Sequence, residues 1–201
     1  MNSKKIYQVA SLLHKLAQEN SRENTQEEEK NPSEITRLAV FDFDGTLFAS
    51  PERPDWWKFE GFWGRPETLI PPHVPQKPDN SWWSPEVVSA AAEAISNPNT
   101  LAVLLTGRPP KLSARITELV KDKGLNFQGY YFAKGSTLEF KVATVQSLLD
   151  KYPSISFVEM WDDRSEHIPT FEAMLNERNM ENQVHLVSRI ANEFENPPTA
   201  T

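Results

Sequence analysis

The chain has 201 residues, of which 38% are hydrophobic, and its mean hydropathy is −0.56. A formal net charge of −7 and a pI near 5.2 argue against a general nucleic-acid-binding protein, although they allow a local basic groove. The absence of cysteine excludes disulfides, thiolate metal sites and cysteine nucleophiles.

The amino-terminal segment is predicted to be separate from the folded domain. Apolar residues recur at helical spacing within residues 1–20, which favours a short amphipathic helix that docks on the domain or on a protein partner. Residues 20–32 are polar and charged, so 1–34 is predicted to be this helix plus a disordered acidic linker. Residues 35–196 then form the folded domain, followed by a disordered tail at 197–201. No segment has the pattern of a membrane span or of a signal peptide, so we expect a cytoplasmic protein without membrane contact.

Within the domain, strand and helix patterns alternate. Strands are predicted at 38–42, 101–105, 129–132, 156–161 and 184–187, and helices at 84–95, 110–123, 140–151 and 167–178. Ser84 followed by Pro85 is typical of a helix start, and Gly124 of a helix end. This alternation predicts an α/β fold of three layers with a Rossmann-like, mostly parallel sheet. Residues 48–83 form a short insert rich in Trp and Pro, predicted to be cap-like.

The first predicted strand ends in two acids. Asp42 and Asp44 follow the apolar run at the edge where open α/β sheets bind their ligands, and Gly45 allows a sharp turn there. Two carboxylates placed at this edge need a cation to neutralise them, and such oxygen ligands suit Mg²⁺. Asp42 is the candidate nucleophile, which would form an aspartyl-phosphate, and Asp44 is the candidate general acid and base.

Further polar clusters follow other strands or begin a helix at the same edge. The candidates for binding phosphoryl oxygens are Thr46, Thr106, Gly107 and Lys141. The candidate metal ligands are Asp42, Asp44, Asp162 and Asp163. Two points stay open: whether Lys134 takes the place of Lys141, and which of Asp162 and Asp163 is the main metal ligand. A nucleophile, a metal and phosphate donors at one edge suit phosphoryl transfer.

A third set of residues is assigned to the substrate: Arg108, Arg164, His167, Trp82 and Trp83. Each has an alternative interpretation. The arginines would be surface charges, and the histidine would cap a helix. The tryptophans would either stack on bases or pack the insert, which contains five of the six tryptophans of the chain.

The order of these motifs resembles that of the haloacid dehalogenase-like (HAD) hydrolase superfamily. The stretch Asp42–Thr46 matches its DxDGT motif, and Thr106, Lys141 and the pair Asp162-Asp163 match the later ones. The resemblance spans roughly residues 37–187. It implies an Mg²⁺-dependent phosphatase that works through an aspartyl-phosphate intermediate.

Narrower resemblances concern the substrate. Stretches at 54–57, 81–85, 104–108, 137–141 and 161–167 are similar to the HAD domain of Swiss Army Knife RNA repair proteins. The stretches Thr-Gly-Arg and Asp-Asp-Arg also resemble the phosphatase half of polynucleotide kinase-phosphatases. Both imply RNA repair, with a phosphate at a nucleic-acid end as the substrate. Two alternatives stay open: a phosphatase of a small phosphorylated metabolite, and a HAD-like module that binds a partner with little turnover.

Overall fold

The structure, a computed structural model, describes residues 32–58, 60–134 and 136–192. The predicted amino-terminal helix, most of the predicted linker and the predicted tail lie outside these residues. The end of the linker is folded: Pro32–Glu34 is a 3₁₀ turn bound to the domain. The Ser154 hydroxyl donates to the Pro32 carbonyl at 3.0 Å, and the Asn99 amide donates to the Glu34 carbonyl at 2.8 Å. Residues 32–34, which the composition assigns to the linker, therefore contact the domain.

In the described part of the chain, five strands form one sheet. They are β1 (Arg37–Phe41), β2 (Thr100–Thr106), β3 (Gly129–Phe132), β4 (Phe157–Asp162) and β5 (Glu181–Leu186). Their order across the sheet is β3-β2-β1-β4-β5, and each pairing is parallel. The strand that leads into the first acidic motif is thus central, and its carboxyl end lies between those of β2 and β4. This confirms the predicted α/β fold.

The described residues also form four α-helices: α1 (Pro85–Ser96), α2 (Ser113–Asp122), α3 (Thr137–Lys151) and α4 (Ile168–Glu177). The predicted cap of α1 is present, because the Ser84 hydroxyl accepts the Val87 N–H at 3.4 Å. A 3₁₀ turn, Pro110–Leu112, precedes α2 where the sequence predicts helix. Helix α3 begins at Thr137, one turn before Lys141, and not at 140 as predicted. No helix in the described ranges combines the length and the apolar character that crossing a bilayer requires.

The helices cover the sheet on both faces. Alternate residues of β1 point to opposite sides: Ala39 and Phe41 join one core cluster, and Leu38 and Val40 join the other. The first cluster includes residues of α1 and α2, and the second includes residues of α3 and α4. The domain therefore has the three predicted layers, and the central strands are buried on both faces, as is typical of parallel sheets.

Strand β5 differs most from its prediction, which starts at residue 184. It begins at Glu181, and its residues are exposed or half-buried. A strand at the edge of a sheet accepts polar residues, so its first half has no apolar pattern from which to predict it. The insert at 48–83 contains three 3₁₀ turns, Phe62–Gly64, Pro66–Leu69 and Asn80–Trp82, and little other regular structure, as predicted.

Candidate active site

A small cavity lies at the carboxyl edge of the sheet. It is lined by Asp42, Asp44, Trp63, Gly107, Arg108, Thr137, Lys141, Arg164 and Arg189. These residues follow four of the strands or belong to the insert and to the first turns of α3. The cavity volume is about 80 Å³, which is roughly half of the ~150 Å³ of an apolar cavity that binds benzene. The space therefore suits a group of the size of one phosphoryl group.

Three acids beside this cavity form a group suited to a cation. Asp42, Asp162 and Asp163 each offer a carboxylate oxygen, and these oxygens lie within 4.8 Å of one another. Lys141 Nζ contacts Asp42 Oδ1 at 2.8 Å and Asp162 Oδ2 at 2.7 Å. Asp163 Oδ1 is buried and has no hydrogen-bond partner among the described residues. An unpaired buried carboxylate oxygen beside two further acids fits a divalent cation with oxygen ligands, such as Mg²⁺.

The crowding of these acids affects their ionisation. Burial raises the pKa of Asp42 to about 7, with further contributions from the Asp162 and Asp163 carboxylates, while Lys141 opposes the shift. Burial also favours protonated Asp162, but hydrogen bonds from His167 and Lys141 outweigh it and lower the pKa of Asp162 to about 2. A doubly charged cation would favour ionised Asp42, as Lys141 does.

Asp44 is held by Arg108 and lies outside the three-acid group. Arg108 Nη2 donates to Asp44 Oδ1 at 2.7 Å, and Arg108 Nε donates to Oδ2 at 2.9 Å. Arg108 Nη1 donates to the Trp63 carbonyl at 2.9 Å and to the Thr68 hydroxyl at 2.6 Å. Burial alone would raise the pKa of Asp44, but Arg108 lowers it below its ordinary value. Asp44 therefore faces the cavity as predicted. Because Arg108 binds both oxygens of its carboxylate, this placement does not support the Asp44 carboxylate as a ligand of the metal.

The two threonines predicted to bind phosphate are both buried. Thr106 is fully buried, and its hydroxyl accepts the Arg108 N–H at 3.2 Å. Thr46 is also fully buried, and its hydroxyl has no hydrogen-bond partner in the described part of the chain. Neither residue belongs to the cavity lining. The Thr106 hydroxyl is thus occupied by a backbone N–H and the Thr46 hydroxyl is enclosed, and their binding of phosphate stays a prediction.

Gly107 and Lys141 do line the cavity, together with Thr137. A Cβ atom on Gly107 would lie 2.8 Å from the Thr137 methyl carbon, so glycine lets the start of α3 approach the end of β2. The positive end of the α3 dipole thereby faces the cavity, with Lys141 one turn further along the same face. Lys134 is exposed, so Lys141 is the lysine at this site. The spacing of four residues between Thr137 and Lys141 is a signal that would have identified Thr137.

Two predicted substrate residues adjoin Asp162. His167 is buried, and its Nδ1 lies 3.2 Å from both Asp162 oxygens, so it positions this acid and does not line the cavity. Arg164 lines the cavity, and its backbone N–H donates to Asp162 Oδ1 at 2.9 Å.

Trp82 and Trp83 pack inside the protein and do not line the cavity. The Trp82 ring stacks on Phe48 with centroids 5.6 Å apart, and the Trp83 ring meets Phe48 edge-on at 4.9 Å. Of the two interpretations of these tryptophans, their placement supports packing of the insert and not contact with a substrate.

The insert instead contributes Trp63, a tryptophan that the sequence does not single out. The guanidinium carbons of Arg108 and Arg189 lie 4.8 Å and 5.7 Å from the centre of its ring. Arg189 also pairs with the Asp163 carboxylate, and with Glu52 at 3.0 Å. Both arginines therefore join acids of the site to the insert.

Arg189 reaches the site through the backbone that follows β5. The Ile190 N–H donates to the Gly45 carbonyl at 2.9 Å. Gly45 has a φ of +77°, and a Cβ atom there would lie 2.6 Å from Asp163 Oδ2 and 2.9 Å from Arg189 Nη1. No local pattern in the sequence marks Arg189, because only this contact across the sheet edge brings it to the cavity.

Comparison with known proteins identifies relatives of this chain. The profile of the family described as HAD domain family 1 in Swiss Army Knife RNA repair proteins matches residues 52–197, so the match begins after the first acidic motif. Uncharacterized protein YMR265C of Saccharomyces cerevisiae is 24% identical over 173 residues, which cover 69% of this chain and 37% of that protein. The chain thus spans little more than a third of the length of this curated relative.

Two solved structures are similar at a TM-score of 0.47 each. One is the Pnkp1/Rnl/Hen1 RNA repair complex, with 13% identity over 75% of this chain and 42% of that one. The other is the HAD domain of the effector protein Lem4 from Legionella pneumophila, with 10% identity over 78% of this chain and 88% of that one.

Proposed function

We propose that this chain, which belongs to HAD domain family 1 of Swiss Army Knife RNA repair proteins, is an Mg²⁺-dependent phosphomonoesterase with Asp42 as its nucleophile. One observation carries the proposal. A buried lysine, Lys141, joins Asp42 at 2.8 Å to Asp162 at 2.7 Å, at the mouth of a cavity that suits a phosphoryl group. A nucleophilic carboxylate, a buried ammonium and a cation-binding group of acids are the parts that phosphoryl transfer requires.

The residues of the cavity support a two-step displacement. An Asp42 carboxylate oxygen attacks phosphorus, the bond to the leaving oxygen breaks, and Asp44 gives a proton to that oxygen. Asp44 then takes a proton from water, whose oxygen attacks phosphorus and releases phosphate from Asp42. Because Arg108 holds Asp44 ionised, the first turnover takes this proton from a phosphomonoester monoanion, and each later turnover uses the proton that Asp44 has taken from water.

Other groups would stabilise the charge of the transferred phosphoryl group. The start of α3 offers the Thr137 hydroxyl and the positive end of the helix dipole, and Lys141 offers an ammonium. Asp42, Asp162 and Asp163 would hold Mg²⁺, which when bound supplies charge neutralisation of the phosphoryl oxygens.

The family description favours a phosphate at the end of an RNA as the substrate. The size of the cavity is compatible with this choice, because only the phosphoryl group has to enter and the rest of the substrate stays outside. A phosphorylated small metabolite would meet the same geometry, so the substrate has to be found by assay.

A substrate panel with Mg²⁺ tests the proposal: oligonucleotides phosphorylated at the 3′ or 5′ end, mononucleotides, and sugar phosphates. Asp42→Asn is nearly isosteric, and we expect it to lower turnover by at least about 10³-fold while the fold is kept. Asp122→Asn, at an exposed position that ends α2, is the matched control and should behave as the unchanged chain. Turnover near normal in Asp42→Asn would show that the nucleophile is misassigned. A preference for sugar phosphates would rule out the nucleic-acid substrate.

A further inference from the structure

We infer that the Arg164 side chain binds the substrate phosphoryl group. This inference rests on the proposed function and deepens it by naming a phosphate-binding residue. Thr46 and Thr106 are fully buried and lie outside the cavity lining, whereas Arg164 is half-buried and belongs to it. Of these three side chains, Arg164 is the one that borders the cavity.

Three of the cationic side chains that line the cavity are committed to acids. Lys141 bridges Asp42 and Asp162. Arg108 pairs with Asp44 through two of its nitrogens and uses the third on the insert. Arg189 is shared by Asp163 and Glu52. Each of these three cations therefore has part of its donors occupied by acids; Lys141, with three N–H donors and two acid partners, keeps one donor for a ligand.

Arg164 is the exception among the cations of the cavity. Across residues 32–58, 60–134 and 136–192, its guanidinium makes no ion pair, hydrogen bond or ring contact. Its backbone is nevertheless fixed, because the Arg164 N–H donates to Asp162 Oδ1 at 2.9 Å. The side chain therefore starts from a fixed point beside the three-acid group, and its planar fork of donors is free to bind two oxygens of one phosphoryl group.

The charges of the site support the same assignment. Three cations that line the cavity, Lys141, Arg108 and Arg189, pair with five acids. Two of these acids line the cavity (Asp42 and Asp44), and the other three belong to the same ion pairs (Glu52, Asp162 and Asp163). Once ionised, these groups carry a net charge of −2, which a bound Mg²⁺ would cancel. Among the cations that line the cavity, the remaining positive charge is that of Arg164, so it gives the loaded site a net attraction for an anionic phosphoryl group.

Calorimetric titration of the full chain with inorganic phosphate, in the presence of Mg²⁺, tests the inference without turnover. We expect Arg164→Ala to weaken phosphate binding by about 10- to 100-fold. Arg164→Lys should recover part of the loss, because it restores the charge and not the fork. Arg65→Ala is the matched control, because it removes the same charge from an arginine that is exposed on the insert and lies outside the cavity lining. We expect it to leave phosphate affinity within about 2-fold of the unchanged chain.

Two further measurements separate binding from a structural role. The melting temperature and the Mg²⁺ affinity of Arg164→Ala should match those of the unchanged chain, since the Arg164 N–H that contacts Asp162 is kept. Three results would overturn the inference. Arg164→Ala could bind phosphate as tightly as the unchanged chain, or the unchanged chain could show no phosphate binding. The third is a loss of phosphate affinity in Arg164→Ala that comes with a loss of Mg²⁺ affinity or of stability. Phosphate binding with the expected arginine dependence but no hydrolysis of any phosphomonoester would refute the proposed function and leave this inference standing.

Discussion

Replacing Gly45 by alanine tests the close approach between the first acidic motif and the segment after β5. Gly45 has a φ of +77°, and a Cβ atom there would lie 2.6 Å from Asp163 Oδ2 and 2.9 Å from Arg189 Nη1. Both separations are shorter than van der Waals contact, so the Asp163–Arg189 pair would have to move. The substitution therefore combines a backbone cost with a displacement of one acid of the three-acid group.

The two costs can be estimated separately. An L-residue held in the left-handed region costs about 1–2 kcal/mol, and pushing packed neighbours aside costs a further 1–3 kcal/mol or so. Gly45→Ala should then lower the free energy of unfolding by about 2–5 kcal/mol, which for a domain of this size corresponds to a fall in melting temperature of about 4–20 °C. Gly124 is the matched control, because its φ is +86° and a Cβ atom there would meet nothing within 4 Å. Gly124→Ala should cost only the backbone contribution of about 1–2 kcal/mol.

Urea unfolding and thermal melting of both variants, each with and without Mg²⁺, provide the comparison. We expect Gly45→Ala to lose more stability than Gly124→Ala, and to lose most of the stabilisation by Mg²⁺ because Asp163 is displaced. Gly124→Ala should keep that stabilisation. Equal losses of stability in the two variants, with equal responses to Mg²⁺, would refute the contact between Gly45 and the Asp163–Arg189 pair.

Two further predictions concern the charges of the three-acid group. Lys141→Met leaves the buried carboxylates of Asp42 and Asp162 without their ammonium, so it should lower the free energy of unfolding by about 3–5 kcal/mol, measured in urea without metal. Lys134→Met, at an exposed position, should change this free energy by no more than about 0.5 kcal/mol. Similar losses in the two variants would contradict this account. The second prediction follows from the pKa of Asp42, which the fold raises from 3.8 to about 7. The unfolded chain releases this proton first, so Asp42 lowers metal-free stability progressively as the pH rises between these two values. Binding of Mg²⁺ needs ionised Asp42. Calorimetry should therefore show that Mg²⁺ raises the melting temperature more near pH 8 than near pH 6. Equal rises at the two pH values would show that Asp42 does not hold the metal.

The sequence predicts the parts of this protein that neighbouring residues specify. Buried strands such as β1 appear as continuous apolar runs, and α1 is marked by Ser84 and Pro85 at its start. A parallel sheet gathers the carboxyl ends of its strands at one edge, so the proximity of Asp42 and Asp162 follows from the strand pattern. The polar half of β5 could not be predicted in this way, because an edge strand has no buried face to impose a pattern.

The contacts of the charged side chains, in contrast, depended on the tertiary structure. Arg189 lies more than a hundred residues from Gly45 in the chain, and only the backbone contact between these segments places it against Asp163. The motifs predict that Thr46 and Thr106 bind phosphate, and only the folded structure shows that both side chains are fully buried. Local patterns record burial and backbone conformation, which a residue shares with its neighbours in sequence. The pairing of a particular cation with a particular acid depends on distances of a few ångströms between remote segments, and these distances exist only in the folded chain.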